Sequence, residues 1–146
     1  MSERKATAEW NGTLKEGEGS FAVGSGVLSA AYSFDTRFGD KSGTNPEELL
    51  GASLAACYAM ALNATLEKEG TPATNVKVEA KVFLGKDENG FKINRIDLET
   101  SASVDGVDQS KFAEIAENVK KSCPISKALA ATDITLKATL ANAQAA

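Results

Sequence analysis

Apolar and polar positions along the chain follow two periods. Asn75–Leu84 alternates strictly, with Val76, Val78, Ala80 and Val82 against Lys77, Glu79 and Lys81, which predicts a half-buried strand. Phe91–Val104 alternates again through Phe91, Ile93, Ile96 and Leu98. The change of parity between Ile93 and Ile96 predicts a bulge near Asn94-Arg95. The charged stretch Lys86–Gly90 between them reads as a turn. Asp133–Leu140 alternates as a last strand. Residues 108–122 switch to the helical period, with Phe112, Ile115, Ala116 and Val119 on one stripe and Asp108 as cap. Pro124 breaks that helix and opens a short second piece.

The N-terminal part is less regular. Residues 4–13 alternate weakly and end at Asn11-Gly12, a hairpin signal. Residues 14–24 are Gly-rich and read as a second strand. Residues 27–35 read as a third, with Leu28, Ala30, Tyr32 and Phe34 assigned to the core face. Residues 36–44 are expected to form a loop. The tail from Ala141 is expected to be frayed or loosely helical.

The stretch from Thr44 to Gly70 stands apart. Thr44 or Asn45 can cap it, Pro46 suits the first helical position, and Glu47 and Glu48 favour the positive end of the helix dipole. Gly70 and Pro72 stop it. From Leu49 to Leu62 only Gly51 and Ser53 interrupt the apolar residues, so every side is apolar. This predicts a helix buried nearly all round. Hairpin-joined strands segregated from two helices predict an α+β fold with antiparallel sheet, in a single domain over residues 1–146. One such chain cannot cover the helix on all sides, so a second copy is expected to do so in a symmetric dimer.

Composition narrows the chemistry. The chain has 146 residues and a net charge of −4, which argues against nucleic acid or an anionic membrane as partner. The apolar run is shorter than a membrane span. The start, MSERKATAEW, shows no secretory apolar region, so a cytoplasmic location is expected. The absence of histidine removes Ser-His-Asp and Cys-His catalysis and His-based metal sites; two cysteines cannot close a four-thiolate zinc site. Cys57 lies mid-helix, where its setting alone favours packing as a small core residue over reactivity, and it needs a cation from another segment to be activated. Arg37 is a candidate. Cys123 follows Lys120 and Lys121 and can cap the short second helix, so local electrostatics nominate it as the more exposed and more acidic thiol.

Two segments carry a resemblance. NPEELLGASLAACYAMAL is similar to the signature of the OsmC/Ohr family, and KKSCPISKAL resembles its second motif. The order of elements agrees along nearly the whole chain, and YSFDTRFG looks more like the OsmC branch (osmotically inducible protein C) than the Ohr branch. The resemblance implies an OsmC-like fold of antiparallel sheets around a long buried central helix carrying Cys57, in an interwoven homodimer. It implies a thiol-dependent peroxidase of the oxidative and osmotic stress response. Such an enzyme reduces organic hydroperoxides, and hydrogen peroxide less well, with no metal or flavin cofactor. Cys57 matches the peroxidatic cysteine and Cys123 the resolving one. Arg37 matches the arginine beside the thiolate, and Glu47 the glutamate that holds it, with Glu48 as rival. A dithiol, lipoyl-type in the family, is the expected reductant. Glu47 and Cys57 lie about 15 Å apart along a continuous helix, so a pocket built from both subunits is expected. The competing reading is a non-catalytic domain of the same fold that binds a small hydrophobic ligand and has inert thiols.

Overall fold

The computed structural model describes residues 1–142, so the expectation for the tail falls largely outside the described residues. The chain divides into two compact units, Met1–Leu49 and Leu50 onward.

The first unit is a three-stranded antiparallel sheet, order β1-β2-β3, from β1 (Ala6–Asn11), β2 (Glu18–Val23) and β3 (Ser29–Tyr32). The hairpin announced by Asn11-Gly12 is present, but its loop spans residues 12–17, longer than a two-residue turn. Gly12 has φ +92°, and Gly17 N–H closes back on Thr13 O. Trp10 and Tyr32 meet as a tilted ring pair, with centroids 5.6 Å apart. The third strand ends earlier than its alternation predicts. Phe34–Phe38 is a one-turn helix, α1, because Ser33 and Thr36 form a reciprocal capping box at its start.

The second unit contains a sheet of order β4-β5-β6, from β4 (Ala73–Asp87), β5 (Gly90–Val104) and β6 (Asp133–Leu140). The β4–β5 register shifts where Phe83 pairs with Arg95 and Leu84 with Ile93, so Asn94 is the extra residue of the expected bulge. Its amide lies over Gly85, where an added Cβ would meet Nδ2 at 2.0 Å. One correction concerns strand direction. β6 pairs parallel to β5, because the connection between them is a crossover through α3 (Gln109–Ser122) and α4 (Pro124–Ala128), not a hairpin. Asp108 caps α3 by accepting from Lys111 N–H at 2.8 Å.

The long helix α2 (Pro46–Lys68) begins in the first unit and runs through the second. Asn45 is its cap, accepting from Glu48 N–H at 2.8 Å, while Thr44 donates to Ala31 O. Gly70, with φ +82°, ends it, and Thr71 N–H reaches back to Leu66 O. Leu54, Tyr58, Leu62 and Leu66 are fully buried with Ile96, Leu98, Ala102 and Val104 of β5, the Phe112–Val119 stripe of α3 and Leu140 of β6. Gly51 lets α2 approach Val82 of β4 closely. The expected all-round burial is not found in the single chain. Ala52, Ser53 and Ala56 are exposed and Met60 is 77% exposed. A helix apolar on every side does not encode which side meets its own core. By length and composition α2 could also cross a membrane, yet its leucine–tyrosine stripe is committed to the protein interior.

Candidate active site

Each candidate pair lies within one unit. In the first unit, α1 carries Arg37 in its last turn and α2 carries Glu47 in its first turn. Arg37 Nη2 donates to Glu47 Oε1 at 2.7 Å, and Nε lies 3.2 and 3.3 Å from the two carboxylate oxygens. This side-on fork resolves the choice between the two glutamates: Glu47 holds the arginine, and Glu48 is exposed at the helix start. The guanidinium also lies 5.1 Å from the Phe38 ring centroid. Glu47 is 12% and Arg37 35% exposed at the side chain, so the carboxylate is nearly enclosed while the cation keeps one side open.

In the second unit, α2 presents Cys57 and the α3–α4 corner presents Cys123. Their sulfurs are 3.1 Å apart, and both cysteines are free thiols. Sixty-six residues of sequence separate them. Tyr58 fixes the helices that bring them together: its buried hydroxyl donates to Ala116 O of α3 at 2.9 Å. Burial and the nearby Glu117 carboxylate push that hydroxyl's pKa well up, so it stays a donor.

The thiols reverse one expectation and support another. Cys123 is the more buried thiol, 1% exposed, while Cys57 is half-buried. Its neighbours in sequence are lysines, but the corner between α3 and α4 turns the sulfur inward against α2. Cys123 is nevertheless the more acidic. Burial raises its pKa, but the Ser126 N–H, the Cys57 thiol, the Ser126 hydroxyl and the Ile125 N–H together bring it below the ordinary thiol value. Cys57 is pushed up, first by burial and then by the Cys123 thiol, against a smaller opposing effect of the Ile125 N–H.

Cys123 ends α3, its N–H bonded to Val119 O, and precedes α4, its carbonyl accepting from Lys127 N–H. Pro124 at the first helical position makes this tight corner possible. Sequence reasoning assigned no role to Ser126, which is buried beneath that corner. Its position three residues after a helix-capping cysteine is the signal that could have found it. Among the described residues no cluster of metal-ligating side chains occurs.

The sequence profile described as OsmC-like protein matches residues 39–138, a span that holds Glu47, Cys57 and Cys123 and begins just after Arg37. The chain is 43% identical over 134 residues to Peroxiredoxin OsmC of Escherichia coli (strain K12), covering 91% of this chain and 93% of that protein. It is 36% identical over 90 residues to Organic hydroperoxide resistance protein OhrB of Bacillus subtilis (strain 168), covering 60% of this chain and 63% of that one. Among solved structures, an organic hydroperoxide resistance protein from Elizabethkingia anophelis superposes with a TM-score of 0.74 at 27% identity, covering 96% of each chain. The Bacillus subtilis OhrB structure gives 0.66 at 27% identity, over 93% of this chain and 97% of that one. With the family profile matching residues 39–138 and 43% identity to a member over 91% of its length, the chain belongs to the OsmC family.

Proposed function

We propose that this protein is a thiol-dependent peroxidase that reduces organic hydroperoxides to alcohols. The observation that carries the reading is the thiol pair: two reduced sulfurs 3.1 Å apart, brought together from α2 and the α3–α4 corner. Similarity to a peroxiredoxin and to organic hydroperoxide resistance proteins supports it. An inert ligand-binding domain has no use for two reduced sulfurs in contact, so the non-catalytic alternative is not favoured.

In this reading Cys57 thiolate attacks the distal peroxide oxygen. The O–O bond breaks, the alkoxide leaves and takes a proton, and Cys57 becomes a sulfenic acid. Cys123 then attacks the Cys57 sulfur and releases the hydroxyl group as water. The product is a disulfide that an external dithiol, lipoyl-type by family likeness, reduces. Hydrogen peroxide, lacking an apolar group, is the poorer substrate.

A thiol raised by burial needs a cation before it attacks near neutral pH. Arg37 is assigned that role, with Glu47 orienting it and leaving its Nη1 edge for the reacting oxygens. The working unit is a homodimer in the bacterial cytoplasm, each protomer a single OsmC-like domain active in oxidative and osmotic stress. Two features support the dimer. The outer face of α2 exposes Ala52, Ala56 and Met60, and Met1–Leu49 buries no side chain larger than glycine in the single chain. The pocket is composite, with Arg37 and Glu47 from one protomer and the thiols from its partner.

A single turnover tests the chemistry. One equivalent of cumene hydroperoxide should consume two thiols per chain in the wild type and form no intramolecular disulfide in Cys123→Ser. Thiols that survive intact reject the reading. Subunit complementation tests the pocket: mixing Arg37→Ala with Cys57→Ser protomers restores activity if the pocket is shared, and restores none if each chain supplies its own.

A further inference from the structure

Ser126 occupies the third helical position of α4, counted from Cys123 as the residue before the helix. From that position a side chain turns back toward the capping residue, as in a capping box. Ser126 is 6% exposed, and among the described residues its Oγ is buried without a completed hydrogen bond. A desolvated hydroxyl without an acceptor is a cost to the fold. The cost is recovered if an acceptor appears beside it during the reaction. Cys123 Sγ, 3.1 Å from Cys57 Sγ, is where a negative charge must develop if Cys123 is to attack.

We propose that Ser126 is a positioning residue for disulfide formation: its hydroxyl donates to the Cys123 thiolate as it forms and aims it at the Cys57 sulfenic acid. The inference rests on the reading of Cys57 as the attacking thiol and Cys123 as the resolving one. The step balances. Cys123 loses its proton, its sulfur forms the S–S bond, the Cys57 S–O bond breaks, and the departing hydroxide takes up a proton to leave as water. The two electrons had already passed from Cys57 to the peroxide. Ser126 gives no proton away; it holds a hydrogen bond that exists only while the sulfur is charged.

The lowered pKa of Cys123, to which the Ser126 hydroxyl contributes, agrees with this role. Among the described residues, the ionisable side chains that interact with Cys123 are Cys57 and Tyr58 on α2; Glu117 on α3, which acts on Tyr58, is ion-paired with Lys120 at 2.8 Å. None of these is a cation aimed at the Cys123 sulfur, so neutral donors are what stabilise its charge.

The test compares wild type, Ser126→Ala and Ser126→Thr after one equivalent of cumene hydroperoxide, over a range of pH. Disulfide is followed by mass and sulfenic acid by trapping with dimedone. In Ser126→Ala, disulfide formation below the ordinary thiol range should slow roughly tenfold, the scale of one hydrogen bond to a charged group. Its pH midpoint should rise by about one unit, and more sulfenic acid should be trapped. Ser126→Thr, which keeps the hydroxyl, should restore most of the rate. The thermal midpoint of Ser126→Ala should equal or exceed that of wild type, since the variant removes an unpartnered buried polar group. A wild-type rate and pH midpoint in Ser126→Ala overturns the proposal and leaves the peroxidase reading standing. So does an Ala variant that is destabilised or fails to fold, because that makes the hydroxyl structural. A wild-type protein that forms no disulfide overturns both.

Discussion

The two units of the chain solve different problems. From Leu50 onward the protein has a complete interior, in which the stripes of α2 and α3 and the inward face of β5 meet with near-zero exposure. Met1–Leu49 has a well-paired sheet and a precise ion pair, yet its buried residues are Gly17 and Gly19. Backbone pairing shapes the first unit; apolar burial stabilises the second. A three-stranded sheet with no buried side chain of its own is a poor candidate for independent stability. Its chemistry differs in the same sense. Arg37 and Glu47 form a pair partly open to water, whereas the thiols are set by long-range packing.

Several experiments would break or sharpen this contrast. The largest effect belongs to the thiol pair: Cys57→Ser should reduce peroxide turnover to the uncatalysed background, measured by cumene hydroperoxide consumption. Next is the core that holds it. Leu62→Ala, which empties a fully buried site, should cost about 2–5 kcal/mol in denaturant unfolding. A comparable truncation on the first unit's sheet, Val23→Ala, should cost far less, and equal costs would erase the distinction drawn here. Arg37→Lys keeps the charge but loses the fork, and should lower kcat/KM by about 10–100-fold with little change in unfolding free energy.

The smallest effect is a pair of opposed pH shifts. The Cys57 thiol stabilises Cys123 thiolate, so Cys57→Ala should move the Cys123 alkylation midpoint upward. Cys123 raises Cys57, so Cys123→Ala should move the Cys57 midpoint downward. Two midpoints moving in the same direction would mean that the sulfurs do not share a proton in this way.

Local patterns made much of the fold legible. The strict alternation of Val76–Val82 and the stripe Phe112–Val119 identify inward faces that the structure half-buries in the first case and buries in the second. The parity change between Ile93 and Ile96 placed the bulge near Asn94-Arg95, and the structure has it at Asn94. Such features are legible because they depend on neighbours a few positions away. The partnership of Arg37 and Glu47 was not local in this sense: it came from the family resemblance, which left Glu48 as a rival. The parallel direction of β6 was not legible, because it depends on where a crossover of two helices returns. Nor was the exposed side of α2, since an apolar pattern all round carries no direction.

By itself the sequence determined the elements other than α1, their order, the inward faces of β4, β5 and α3, and the list of side chains able to do chemistry in a chain without histidine. The tertiary structure alone decided that Cys123 is buried, that its sulfur meets that of Cys57, and that the hydroxyl of Ser126 lies beneath the same corner. The physical reason is the same in each case. A dihedral preference or a period of apolar residues acts over one or two turns, whereas the burial of a thiol and the acidity it acquires are properties of the packed groups around it.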